Sequence, residues 1–274
     1  MSLDSLPYMA FLLLVEFTIG GLFVLYGAQV RGLVTRGFLK MGAASVLASG
    51  VLAVWLAFSL DGAAEVGGYP LDDAFLNPTR ITLLALLGLL LPYTALVWRE
   101  VEPAGRALGG LSSVAGALVL SLSAAILRVP AWGYIGVLLS LLAGALSLGA
   151  VTMGMVLGHW YLVTPRLPER PLNELTLALL AILVVQTLLF FINLAIPVHL
   201  TPNSDTGPLA QNPAFWLRIG VGLLFPIALA LMAWRSSVVR GMMSATGLLY
   251  VATGAVLAGE ALARGLQFAT AIPF

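Results

Sequence analysis

Eight long apolar stretches, each closed by a polar or Pro/Gly-rich segment, run the length of the chain: 6–30, 38–60, 81–98, 107–127, 133–163, 172–196, 214–234 and 245–265. About 20 apolar residues in a helix cross a hydrocarbon core of about 30 Å. Every stretch is near that length, with the third short and the fifth long. The pattern predicts an all-α integral membrane protein with eight transmembrane helices, forming one transmembrane domain over 1–274. The first stretch follows MSLDSLPYMA, which opens on an acid instead of a basic region, so it reads as the first helix and not as a cleavable signal.

Composition agrees. Of 274 residues, 60% are hydrophobic and 9% charged, where soluble domains carry about 25% charged residues. Lysine and arginine set the orientation. Arg31, Arg36, Lys40, Arg99, Arg106, Arg166, Arg170, Arg235 and Arg240 fall on one side, and only Arg80, Arg128, Arg218 and Arg264 on or toward the other. The richer side is expected to be cytoplasmic, with both termini outside a cell (inner) membrane. The connection 61–80, with Asp61, Glu65, Asp72 and Asp73, is then an outer acidic segment: a solvated linker, or a lid or docking surface.

A weak internal repeat divides the chain into four-helix halves, 1–130 and 131–274. Gly88-Leu-Leu-Leu-Pro92 recurs as Gly222-Leu-Leu-Phe-Pro226, and Thr18-Ile-Gly20 as Thr152-Met-Gly154, both at an offset of 134. Trp98-Arg99 returns as Trp234-Arg235. An even number of helices per unit makes the repeat a parallel one about the membrane normal. Pro92 and Pro226 are expected to kink their helices. The small-residue runs at 42–50 and 143–150 are expected to let helices approach closely.

Ionisable groups at membrane depth are expensive and therefore functional candidates. Glu16 lies about ten residues into the first helix. It reads as a proton carrier or ligand acceptor, or else as the structural partner of Arg218 or a late-helix hydroxyl. Glu260 and Arg264, one turn apart, also suit a local ion pair. With Glu16, Asn193, His199 and Arg218 they share the outer half, a depth that topology alone imposes; Gln186 and Asn193, seven apart, share one face of the sixth helix. Glu16 and His199 are the candidate catalytic pair for proton handling; Asn193, Arg218 and Glu260 are candidate ligand-binding residues. On the inner side His159, Trp160 and Tyr161 read as an interfacial aromatic belt or as a headgroup or quinone-ring pocket.

Much chemistry is set aside. There are no cysteines, so this chain supplies no disulfide, thiolate metal site or iron–sulfur ligand. No metal site is expected. The two histidines stand on opposite sides and cannot share one haem, so haem is not expected, and no covalently held cofactor is implied. A net charge of +1 gives no basic field for nucleic acid. The single lysine, Lys40, is at a loop, which excludes a late-helix retinal Schiff base; HExxH and Walker A motifs are missing.

Eight helices, outward termini and two four-helix halves resemble the membrane-anchor subunits of polysulfide, nitrite and dimethyl sulfoxide reductases, the NrfD/DmsC-like proteins. The resemblance lies in architecture and not in motif, so no site residue is carried over from it. It implies a non-haem, quinone-binding subunit passing electrons to or from an iron–sulfur partner. Two other classes fit the same features: a small-solute or ion permease coupled to protons through Glu16, and a structural or assembly subunit in contact with lipid and other chains. Cysteines introduced at positions 68 and 103 are expected to label oppositely in intact cells, 68 from outside and 103 protected. The reverse result overturns the orientation, and equal labelling overturns the helix count.

Overall fold

The computed structural model describes residues 3–128, 133–164, 167–196 and 209–274. Among them eight helices are long and apolar enough to cross a membrane. They are α1 (Leu6–Arg31), α2 (Arg36–Ser59), α3 (Leu76–Trp98), α4 (Glu102–Ile126), α5 (Gly133–Val163), α6 (Arg170–Ala195), α7 (Pro213–Val238) and α8 (Met242–Thr270). Proline stands in the first turn of α1, α4, α6 and α7, where its missing N–H is unneeded and its fixed φ suits helix entry. Thr35 and Asn212 cap α2 and α7, accepting from Phe38 N at 3.3 Å and Ala214 N at 3.0 Å.

Several helices are longer than their apolar stretches, α3 and α8 among them. α3 starts at Leu76, not at 81, and is not a short span. Arg80 is tolerated inside it because its guanidinium donates back to Ala57 O (2.9 Å) and Leu60 O (2.5 Å), satisfying carbonyls at the end of α2. α8 continues past 265 to Thr270, with Gln267 buried and the Thr270 hydroxyl donating back to Leu266 O at 2.8 Å.

α1 and α5 are the most buried helices and pack against each other at the centre. On one side α1, α2, α3 and α4 pack in chain order, α4 closing back on α1; on the other, α5, α6, α7 and α8 do the same, α8 closing on α5. The central contact is backbone on backbone. A Cβ on Gly20 would lie 1.6 Å from Ala145 O, and one on Gly149 2.1 Å from the carbonyl carbon of Gly20. A second such contact joins α7 to α8, where a Cβ on Gly222 would lie 2.8 Å from Gly259 Cα. Small residues drive this kind of approach where water cannot.

The two intrahelical prolines act differently. α3 runs as α-helix through Pro92. α7 widens into a π-helical turn at Gly220–Leu224, immediately before Pro226. Pro226 cannot donate to Gly222 O, and its ring would strike that carbonyl in a regular helix; the wider turn relieves both.

The segment after α2 is an ordered hairpin, not a solvated linker. Glu65–Val66 pairs with Tyr69–Pro70 across Gly67 and Gly68, whose φ values of 58° and 87° fit a two-residue turn with both centres left-handed. Tyr69 is fully buried, donates to Leu127 O and packs edge-on to Phe268 at 5.2 Å. Burial pushes its phenol well above the usual range. Arg128 pairs with Asp72 at 2.6 Å. The opposite end of the bundle carries Arg31–Glu174 (2.5 Å), Lys40–Glu100 (2.9 Å) and Arg170–Glu174 (2.7 Å), with Arg36 also on Glu100 and Arg240 on Glu169.

Gly149→Ala is expected to lower the thermal unfolding midpoint of the purified protein by the equivalent of about 1–3 kcal/mol, since the added methyl overpacks a backbone contact. Gly27→Ala and Gly254→Ala, with open space around them, are expected to change it little. Equal effects at all three positions would remove the central contact from its role.

Candidate functional site

Glu16 on α1, Arg218 on α7, and Glu260 and Arg264 on α8 meet in the interior, all with 0% exposure. They form one charge-balanced group. Arg218 Nη1 donates to Glu260 Oε1 at 3.2 Å. Gln186 Nε2, from α6, donates to the same oxygen at 2.6 Å. Arg264 Nη2 lies 3.1 Å from Glu16 Oε1 and 3.7 Å from Glu260 Oε2, so one guanidinium stands against both carboxylates. Its contact with Glu16 is an ion pair without the alignment of a hydrogen bond.

α5 supplies the floor. A Cβ on Gly144 would lie 2.6 Å from Glu16 Oε1 and 2.6 Å from Glu260 Oε2. Those two oxygens are therefore no more than about 5 Å apart, facing each other across a position where any side chain would intrude. Ser140, one turn earlier, accepts from Arg264 Nη2 at 3.1 Å and donates to the main-chain oxygen of Phe274 at 2.6 Å. Arg264 Nη1 donates to Gln267 Oε1 at 2.6 Å.

The segment after α8 closes this region. Ala271 turns the chain with a φ of 58°, and Phe274 packs against Phe190 with ring centres 5.2 Å apart. Asn193 holds that tail by donating to Pro273 O. The hairpin closes the neighbouring edge through Tyr69, whose phenol stands near both Gln267 and Arg264. Arg218 is reached from the π-helical turn: Cβ atoms on Gly222 and Gly259 would lie 3.2 and 3.1 Å from its Nη1, so both glycines give the guanidinium room.

Of the expected site residues, the structure brings Glu16, Arg218 and Glu260 together, with Arg264 and Gln186, and sets Asn193 beside them on the tail. Glu16 pairs with Arg264, not with Arg218 or a late-helix hydroxyl. His199 lies outside the described residues. His159, Trp160 and Tyr161 do not converge on one pocket, because consecutive helical residues face different ways. His159 Nδ1 meets Tyr250 OH on α8 at 3.2 Å; the Trp160 ring packs where a Cβ on Gly37 would be, at the start of α2; Tyr161 donates to Pro168 O. Ser140, Gly144 and Gln267 were not singled out in the sequence. Gly144 belongs to the 143–150 small-residue run, readable only as packing, Ser140 lies before that run, and Gln267 lies beyond the apolar stretch of α8.

Several polar atoms of the group make no hydrogen bond among the described residues: both oxygens of Glu16, Oε2 of Glu260, Nε and Nη2 of Arg218, Nε of Arg264, Oε1 of Gln186 and Nε2 of Gln267. Buried polar groups are nearly always satisfied, so this concentration sets the group apart from ordinary structural ion pairs. No protein-family model matches the chain, and no curated protein is similar enough to count as a relative.

Gly144→Ala is expected to force the two carboxylates apart and lower the unfolding midpoint by the equivalent of about 1–3 kcal/mol. In the double variant Gly144→Ala/Glu16→Gln the loss is expected to be less than additive, since the pair being separated is already one charge short. Strict additivity in thermal melts would mean that Gly144 serves packing alone.

Proposed function

We propose that this chain is a multi-pass cell-membrane protein, with both termini on the non-cytoplasmic side, that binds and releases a proton at Glu16 and Glu260 and couples it to passage of a small solute. The observation that carries this reading is the carboxylate pair facing itself over Gly144 with one arginine between the two. Close carboxylates in a dry interior hold protons according to the cations beside them. A small shift of Arg264 toward Glu260 leaves Glu16 without its cation and favours its protonated form. The π-helical turn beside Arg218 and the glycine crossing of α7 on α8 are where such a shift costs least.

A second reading is the quinone-linked, non-haem electron-transfer subunit with an iron–sulfur partner. A groove of about 250 Å³ between α1, α5 and α6, walled by Val24, Leu157 and Leu175 and rimmed by Arg31 and Glu174, supports it. It ranks second because Val24 is eight residues along α1 from Glu16, about 12 Å at 1.5 Å per residue. A ring in that groove would not touch the carboxylates.

The parallel repeat belongs to the same proposal. The α3–α4 and α7–α8 turns are alike: each has one left-handed residue, Glu100 (φ 61°) and Arg240 (φ 62°), two residues before the next helix starts. They lie 140 positions apart, an offset that sets the buried Leu120 and Ala124 of α4 opposite Glu260 and Arg264 of α8. The contact of Gly20 with Gly149 favours a smaller offset for α1 and α5 than the 134 that pairs Gly20 with Gly154. On this reading one half kept the charged site, and the other holds neutral pairs: Thr18–Ser49 at 2.9 Å and Tyr93–Gln29 at 3.0 Å.

Infrared difference spectra of the reconstituted protein between about pH 5 and about pH 9 are expected to show a protonated-carboxyl band that Glu16→Gln removes while the protein stays folded. In proteoliposomes the same variant is expected to abolish solute-linked proton movement. An unchanged carboxyl band, with only a lower melting temperature, would reduce Glu16 to a structural partner and leave an assembly subunit as the better description.

A further inference from the structure

Arg218 spends only one of its three nitrogens. Nη1 is on Glu260, while Nε and Nη2 make no hydrogen bond among the described residues, at 0% exposure. Those two nitrogens form one edge of the guanidinium, the planar fork that matches the two oxygens of a carboxylate. Surface arginines turn such an edge to water. A fully buried one left without an acceptor has lost its hydration and gained nothing in return.

With both carboxylates ionised the group is neutral, two glutamates against two arginines. A carboxylate arriving on the Arg218 fork would bring the sum to minus one, and an uncompensated charge in such an interior is costly. A proton arriving with it restores neutrality. Glu16 is the acceptor that gives up least. Glu260 Oε1 already accepts from Gln186 and Arg218, whereas neither oxygen of Glu16 is in an aligned hydrogen bond.

We infer that the unpartnered edge of Arg218 binds the carboxylate of a small monoanionic ligand, and that each anion enters with one proton, taken up by Glu16. This rests on the proton-binding reading above and names the solute class for it. The proton comes from the medium, and the anion leaves with it when Arg264 re-pairs with Glu16. The charges acting on Glu16 are those of Arg264 and Glu260 from α8 and Arg218 from α7. α5 faces it with Gly144 and α6 brings the neutral Gln186 beside Glu260. The charged residues of α2, α4 and α6 lie at their arginine-rich ends (Arg36, Lys40, Glu102, Arg106, Arg170, Glu174), and α3 has only Arg80. Hence the proton count is set inside this one group.

The test uses the full chain in nanodiscs with acetate, lactate and benzoate as probes and their neutral amides as controls. The anions are expected to raise the melting temperature and the amides not to. Calorimetry in two buffers of different ionisation heat is expected to give about one proton taken up per anion bound. Arg218→Lys, which keeps the charge and loses the fork, is expected to weaken binding at least tenfold. Glu16→Gln is expected to bind the anions with no proton uptake and no weakening at higher pH. Amides as effective as anions, or no binding by any of the three anions to the wild-type protein, would overturn the inference. If the carboxyl band of Glu16 still titrates in that case, the proton-binding reading stands and only the ligand assignment falls. Undiminished proton uptake in Glu16→Gln would remove Glu16 as the carrier.

Discussion

The structure turns on the need to satisfy four buried ionisable side chains where no water can do it. Placing a carboxylate or guanidinium in an apolar interior costs several kcal/mol per ion, recovered only by close pairing. Glu16, Arg218, Glu260 and Arg264 come from the first helix and the last two, so pairing them fixes how α1, α7 and α8 stand around α5. Their side chains cannot reach one another unless the helices approach to backbone contact, and glycine permits it at each approach: Gly20 and Gly149 between α1 and α5, Gly222 and Gly259 between α7 and α8, Gly144 beneath the carboxylates. The glycines supply proximity and the charges supply register. Apolar surfaces alone would leave helices of this composition free to rotate or slide.

The same constraint accounts for the closures at the hairpin end. A charged group held near the end of a bundle is stable only if the way out is covered. The 65–70 hairpin does this over one part, with Tyr69 buried against Phe268 and beside Gln267. The turned-back 271–274 segment does it over another, its last carbonyls satisfied by Asn193 and Ser140. Both closures touch residues that touch Arg264, so loosening either one is felt at the charge group without any movement of the main helices.

What the sequence made legible follows from what each signal measures. Hydrophobic length gave the eight helices, and counting residues from the helix ends assigned Glu16, Asn193, His199, Arg218, Glu260 and Arg264 to one range of depth; of these the structure pairs Glu16, Arg218, Glu260 and Arg264. Depth is one coordinate of three. Which way a side chain points needs the helix rotation, and for these helices apolar residues run all round, so no polar face announces it. That is why Glu16 could not be assigned to Arg264 in advance, and why His159, Trp160 and Tyr161, adjacent in sequence, looked like one pocket and serve three neighbours. Gly144 was hidden for a related reason: a glycine that makes room for a ligand-like pair reads the same as one that packs a helix. The hairpin carried a readable signal in Gly67-Gly68, masked by the acidic residues around it.

The asymmetry between the halves bears on mechanism. If the first half were also charged, two charged groups would face each other across the α1–α5 contact, and their repulsion would have to be controlled through that contact. Neutral pairs, Thr18 with Ser49 and Tyr93 with Gln29, avoid the problem and leave α1–α4 as a passive wall. The exception is Glu16. It is the only ionisable member of the group contributed by the first half, and it reaches across into the second. Any change in its charge therefore acts on the packing of the two halves against each other, whereas a change at Glu260 acts within one half. A proton on Glu16 weakens the one buried ionic tie between the halves among the described residues, its contact with Arg264, while the ties from Arg218 and Gln186 to Glu260 stay in place. The carboxylate best placed to alter the arrangement of the halves is thus also the one most loosely held.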